Sequence, residues 1–117
     1  MLLRTEGKTT CRLRMMPATH HSNVNDVVHG GVTLSLIDVS LFAAAHALGA
    51  GDAAGSVTLG LECSFVDVGE IGKPLDAVTE ILRETGRLIF LRGLVEQGET
   101  VVASFSGTIR KPPPRRA

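Results

Sequence analysis

The sequence predicts an α+β fold in which one antiparallel sheet of about five strands wraps around a single long helix. Three observations predict it. From about Gly31 to Leu48 the chain is apolar on every side, with Val32, Leu34, Leu36, Ile37, Val39, Leu41, Phe42, Ala43, Ala44, Ala45 and Ala47, as in a helix buried all round. The segments that follow alternate apolar and polar residues and are separated by the turn signals Thr85-Gly86 and Gln97-Gly98. Finally, 117 residues with 44% hydrophobic content suffice for one domain with one core.

Taken in order, Thr9 to Met15 alternates weakly and reads as a first strand, and Pro17 to Asp26 is a polar loop rich in His, Ser and Asn. The helix comes next, and Gly49, Gly51 and Gly55 end it. Ser56 to Asp67 then places Val57, Leu59, Leu61, Cys63 and Phe65 on one face against Thr58, Gly60, Glu62 and Ser64 on the other, which is the period of a half-buried strand. Pro74 to Glu84, Leu88 to Glu96 and Thr100 to Lys111 are three more strands, and tight turns between consecutive strands make an antiparallel meander. The end of the chain, KPPPRRA, is proline-rich and basic; from residue 112 onward it is expected to be a solvated, flexible tail. The whole of 1–117 is thus a single domain.

Charge and composition exclude several functions. Twelve basic residues balance twelve acidic ones, Trp and Tyr are absent and only four Phe are present, so no basic surface with stacking platforms exists for nucleic acid. Residues 30 to 50 are long enough to cross a bilayer but carry Asp38 mid-helix and no closely flanking Lys or Arg. A core helix without membrane contact is the simpler reading. The opening MLLRTEGK is charged too early for a signal peptide, which gives the expectation of a cytoplasmic protein. Cys11 and Cys63 stand alone among strand-like residues and are expected to be reduced core thiols. His20, His21, His29 and His46 lack metal-ligand spacing, there is no GxSxG elbow, and the glycines from 49 to 55 follow a helix rather than a strand. No metal site, serine nucleophile or phosphate loop is expected.

The chemistry concentrates between Asn23 and Asp38, NVNDVVHGGVTLSLID. A lone Asp in a helix buried all round is desolvated, at a cost of several kcal/mol unless it is hydrogen-bonded, paired or protonated. Its bland role would be a core carboxylate bonded to a neighbour such as Ser35; its functional role is to attack or to serve as general base. Gly30 and Gly31 lie at the helix mouth, where unpaired N–H groups and the positive end of the macrodipole stabilise a developing oxyanion and glycine permits close approach. Eight residues separate Gly30 from Asp38, roughly 12 Å of helix at about 1.5 Å per residue. A reacting carbonyl must lie about 3 to 3.5 Å from both groups, so the mouth of one chain is expected to work with Asp38 of another. The apolar surface left by one helix and one sheet also argues for a homodimer as the minimal unit, and for a tetramer beyond it.

These residues resemble the hotdog-fold acyl-CoA thioesterases of the phenylacetic-acid-degradation and thioesterase-superfamily-member-2 type. The motif is an Asn six positions before the His of HGG, an Asp nine after it and a Ser eighteen beyond the Asp, here Asn23, His29, Asp38 and Ser56. The likeness extends from the first strand to the last. It implies a hotdog fold, hydrolysis of acyl-CoA to free acid and CoA, no cofactor apart from the CoA of the substrate, and active sites at a dimer interface. In those terms Asn23 would hold the water or the thioester, His29 would donate to the carbonyl or position the helix mouth, with a capping or supporting role as its alternative, and Ser56 would orient Asp38 or the attacking water. Gly31 would contact the substrate. Read from the residues alone, Arg87, with Arg83, Arg92 and Arg110, lies on a strand or hairpin end and is a candidate for the phosphates of CoA, with a solvated surface charge as the alternative reading of each. Two rival readings are a hotdog hydratase or dehydratase, whose His and carboxylate signatures are missing, and a non-catalytic acyl-CoA sensor, for which a buried Asp has no use.

Overall fold

In the computed structural model, which describes residues 1–18, 27–50 and 55–113, a six-stranded antiparallel sheet packs one face against a single helix. The elements are β1 (Leu2–Glu6), β2 (Thr10–Met15), α1 (Gly30–Ala47), β3 (Val57–Phe65), β4 (Leu75–Glu84), β5 (Leu88–Gln97) and β6 (Thr100–Arg110). Strand order is β1-β2-β4-β5-β6-β3. The predicted class stands, with two refinements. The sixth strand, β1, carries no apolar period because it is an edge strand whose residues are almost all exposed; it hairpins onto β2 through Gly7, at φ 79°. The meander holds for β4, β5 and β6, but β3 crosses to the far edge and pairs with β6 alone.

The core follows from period-2 patterning. In β2, Cys11, Leu13 and Met15 are buried while Arg12 and Arg14 turn outward. Cross-strand rows then continue the inner face: Leu13, Ala77, Val95 and Ala103 form one, and Ile81, Leu91, Gly107 and Leu61 another. The helix lies on these rows. A Cβ on Gly107 would stand 2.6 Å from a Leu41 methyl, so the missing side chain lets the helix seat on β6. Cys11 and Cys63 lie in a single row, with Thr79, Gly93 and Phe105 between them. Four strand spacings of about 4.8 Å put them ~19 Å apart, far beyond disulfide reach. Burial pushes both thiols up from their ordinary titration range, which keeps them protonated and unreactive at neutral pH.

The expectation that α1 is buried all round does not hold within one chain. Thr33, Leu36, Ile37, Ser40, Leu41, Ala44 and Ala45 are buried, but Leu34, Ser35, Asp38, Val39 and His46 face solvent. A sheet that packs against the helix from one side covers only that side, so the apolar residues opposite remain open.

On the outer face of the sheet, Asp76 is 5% exposed and accepts from Arg14 Nε at 2.8 Å, Arg14 Nη2 at 3.0 Å and Arg12 Nη1 at 2.7 Å. Arg12 also meets Glu6 and, at 3.3 Å, Glu96. The network ties β1, β2, β4 and β5 together across the face that the helix does not touch.

Candidate active site

The mouth of α1 is held from both sides. His29 is the N-cap, with φ −63° and ψ 136°, and its Nδ1 accepts from the N–H of Gly31 at 2.9 Å. The ring nitrogen therefore does the work usually given to a Ser or Asp oxygen, and the ring's proton is left on Nε2. A Cβ on Gly31 would lie 3.1 Å from that Nδ1, so glycine is what lets the imidazole fold over the first turn. Upstream, the N–H of Val28 donates to Gly69 O at 2.8 Å and Val27 bridges to Glu70. The loop carrying Glu70 is fixed in turn by the largely buried Gln97, whose amide accepts from Glu70 N at 2.7 Å and donates to Glu70 O at 2.9 Å and Lys73 O at 3.1 Å.

Sequence reasoning assigns oxyanion donors to both glycines. In the structure the N–H of Gly31 is taken by His29, whereas that of Gly30 has no partner among the described residues. Beside it stands Phe65, at the end of β3 and 54% exposed, its Cζ 3.5 Å from where a Gly30 Cβ would be. Cβ positions on a helix tilt toward its N-terminus, so the ring flanks the approach to the mouth.

Asp38 is not the desolvated carboxylate that an all-round buried helix implies. It is exposed, and its Oδ1 accepts from Thr58 Oγ1 at 3.0 Å. Ser35 does not bond it, because its hydroxyl turns back to Gly31 O at 2.9 Å. A β-bulge puts Thr58 there: Thr58 pairs with Ile109 and Gly60 with Thr108, which leaves Leu59 as the extra residue. One inserted residue exchanges the faces of the strand. Thr58 therefore turns to the helix side while Val57 and Leu59, predicted inward, are 41% and 53% exposed. Ser56 lies just ahead of β3, two residues from Thr58, and Arg87 is in the β4–β5 turn, where its carbonyl accepts from Lys111 N at 2.7 Å. Asn23 lies outside the described residues.

Within one chain, then, a donor at the helix mouth and a hydrogen-bonded carboxylate lie on the same helix, and the eight residues between them keep them roughly 12 Å apart. Gly30 is beside one end of β3 and Asp38 beside the other. Three residues of this arrangement escape sequence reasoning. Thr58 reads as an outward strand residue until the bulge is seen, Phe65 as ordinary core, and Gln97 as part of a turn signal. Only Gly60, a glycine inside a strand, hints at the bulge.

A family model described as Thioesterase superfamily matches residues 25–104. A search of curated proteins finds no match. Among solved structures, thioesterase superfamily member 2 from Mus musculus aligns with TM-score 0.79 at 19% identity, over 93% of this chain and 80% of that one. The Escherichia coli PaaI protein from the phenylacetic acid degradation operon gives 0.79 at 19% identity, over 89% and 73%. A putative thioesterase of Ralstonia eutropha, related to phenylacetic acid degradation, gives 0.83 at 20% identity, over 93% and 83%. At such identities the likeness establishes the hotdog fold.

Proposed function

The chain belongs to the thioesterase superfamily, and from that premise we propose that it hydrolyses acyl-CoA thioesters to free acid and CoA, in sites that two copies of the chain complete. The observation that carries this reading is the placement of Asp38 and Gly30 at opposite ends of one open strand. β3 pairs only with β6, and nothing among the described residues covers its other edge. A nine-residue edge strand with apolar Val57, Leu59 and Phe65 exposed is a template for another chain. Antiparallel pairing of β3 with its copy, about a two-fold axis near Leu61, sets Phe65 opposite the partner's Val57. Each helix mouth then meets the partner's Asp38 and Thr58, closing the 12 Å gap that one chain leaves.

In such a site the thioester oxygen sits at the Gly30 N–H and the N-terminus of α1. The Asp38 that faces it comes from the partner subunit, where the Thr58 of that same chain holds Oδ1 and leaves Oδ2 to take a proton from water. The hydroxide formed adds to the carbonyl carbon, the oxyanion is stabilised by the helix mouth, and collapse breaks the C–S bond. The leaving thiolate recovers the proton from Asp38, giving the acid and free CoA. One water and the acyl-CoA are consumed, the acid and CoA are released, and no further cofactor enters the scheme. Arg87, in the β4–β5 turn and separated from the start of β3 by β6, is the candidate for the phosphates of that CoA.

The test is thiol release from a panel of acyl-CoAs, and the absence of release from any of them would overturn the reading. A companion variant probes the helix mouth. Proline is favoured at the first helical position, and the β-region backbone of His29 is what a residue before proline adopts. Gly30→Pro is therefore expected to keep the fold, delete the open N–H and lower kcat by about 10²- to 10³-fold. Circular dichroism and thiol release measured together check it, and an unchanged rate in a folded variant would remove Gly30 from the site.

A further inference from the structure

We propose that Gln97 is a positioning residue for the mouth of α1, and that through Glu70 and Val28 it sets where the Gly30 N–H points. The proposal rests on the thioester reading above and adds to it the residue that holds the donor in place. Gln97 closes β5, is 9% exposed, and spends its whole amide on one loop. Its oxygen accepts from Glu70 N at 2.7 Å, and its nitrogen donates to Glu70 O at 2.9 Å and to Lys73 O at 3.1 Å. Accepting from the N–H and donating to the C=O of one residue is what the backbone of a neighbouring antiparallel strand does. The side chain therefore stands in for a strand that is absent beside Glu70.

On its other side Glu70 bridges to Val27, antiparallel, and the N–H of Val28 donates to Gly69 O at 2.8 Å. Packing tightens this link. Val28 is buried, and a Cβ on Gly69 would lie 3.2 Å from its Cβ and Cγ2. The same loop reaches the chain at a second point, where the N–H of Gly72 donates to Pro17 O at 3.0 Å. From Val28 it is one residue to the His29 cap and two to Gly30. A shift of the Glu70 loop is thus passed to the mouth, and a misplacement of about 1 Å at the reacting centre costs about 10²-fold in rate. Only an amide serves here. A leucine can neither give nor take a hydrogen bond, and a carboxylate could accept from Glu70 N but would face the carbonyls of Glu70 and Lys73 with no proton to donate.

The test is a double-mutant cycle between Gln97→Leu and Gly30→Pro, with kcat and KM measured separately on protein shown to be folded by circular dichroism. In the otherwise wild-type chain, Gln97→Leu is expected to lower kcat by about 10- to 10²-fold and to leave KM nearly unchanged, because the donor acts on the oxyanion rather than on the bound substrate. In Gly30→Pro, where that N–H is gone, the same change should cost at most about twofold. A merely structural role would cost the same in both. Gln97→Glu, which keeps the bond from Glu70 N, takes its place if Gln97→Leu does not fold. Amide hydrogen exchange reads the link without turnover: the Val28 N–H should exchange at least about tenfold faster in the variant while the β5–β6 ladder stays protected. An unchanged kcat, an equal loss in both backgrounds, or full protection of Val28 would overturn the proposal. If wild type releases no thiol, the thioesterase reading falls by that result, and exchange at Val28 still decides whether Gln97 holds the mouth.

Discussion

Asp38→Asn is expected to slow thiol release by about 10²- to 10⁴-fold, the range that a positioned general base contributes, with no loss of stability. The two halves of that expectation have separate grounds. Asp38 is exposed and its Oδ1 only accepts a hydrogen bond from Thr58. The amide oxygen of asparagine accepts the same bond from the same place, so the helix and β3 lose nothing. What asparagine cannot do is take a proton from water. Melting temperature and substrate binding should therefore match wild type while turnover collapses. Equal rates in the two proteins would remove Asp38 from the chemistry.

Asp76→Ala should have the largest effect on stability, about 2 to 4 kcal/mol, because it strips three charge-assisted hydrogen bonds from a nearly buried carboxylate and leaves two arginines behind. For a domain of this size that lowers the melting temperature by roughly 10 °C. The same residue gives acid sensitivity a sign. Arg14 above all, and then Arg12, hold the Asp76 carboxyl below its ordinary value against the opposing effect of its own desolvation. A group depressed in the folded state stabilises it above the unfolded value, near 3.9, and that contribution is lost as pH falls through the folded value. Glu6, also lowered by Arg12 and Arg4, acts in the same direction. Wild type should therefore lose melting temperature as pH drops from about 4, and Asp76→Ala should show a shallower decline from its lower start. Parallel profiles would mean that other carboxylates control acid unfolding.

Much of this architecture is legible in the sequence because it rests on local patterning. The run around Leu36 and Leu41 can only be a helix against a core, His29-Gly30-Gly31 marks its mouth, and Gln97-Gly98 ends β5 with glycine at φ 62°. What escapes has a physical reason in each case. Strand β1 is an exposed edge, and exposure erases the apolar alternation by which strands are read. The bulge at Leu59 is a single inserted residue, yet it reverses which of Val57 and Thr58 meets the helix, and so decides what bonds Asp38. The apolar run around Asp38 implies burial, whereas one sheet covers one side of the helix. A capping role for His29 is among the readings its place before Gly30-Gly31 allows, even though cap statistics favour hydroxyl and carboxylate side chains.

Two chains sharing each site is the claim on which the rest depends, and mixing two inactive proteins addresses it. Asp38→Asn subunits retain Gly30, and Gly30→Pro subunits retain Asp38, so neither homodimer has a complete site. A mixed dimer has one site with both groups and one with neither. If the sites lie across the two-fold axis, purified mixed dimers should recover about half of the wild-type rate. If mixed dimers, verified by mass, remain as inactive as their parents, Gly30 and Asp38 do not meet across an interface and the two-chain site is wrong.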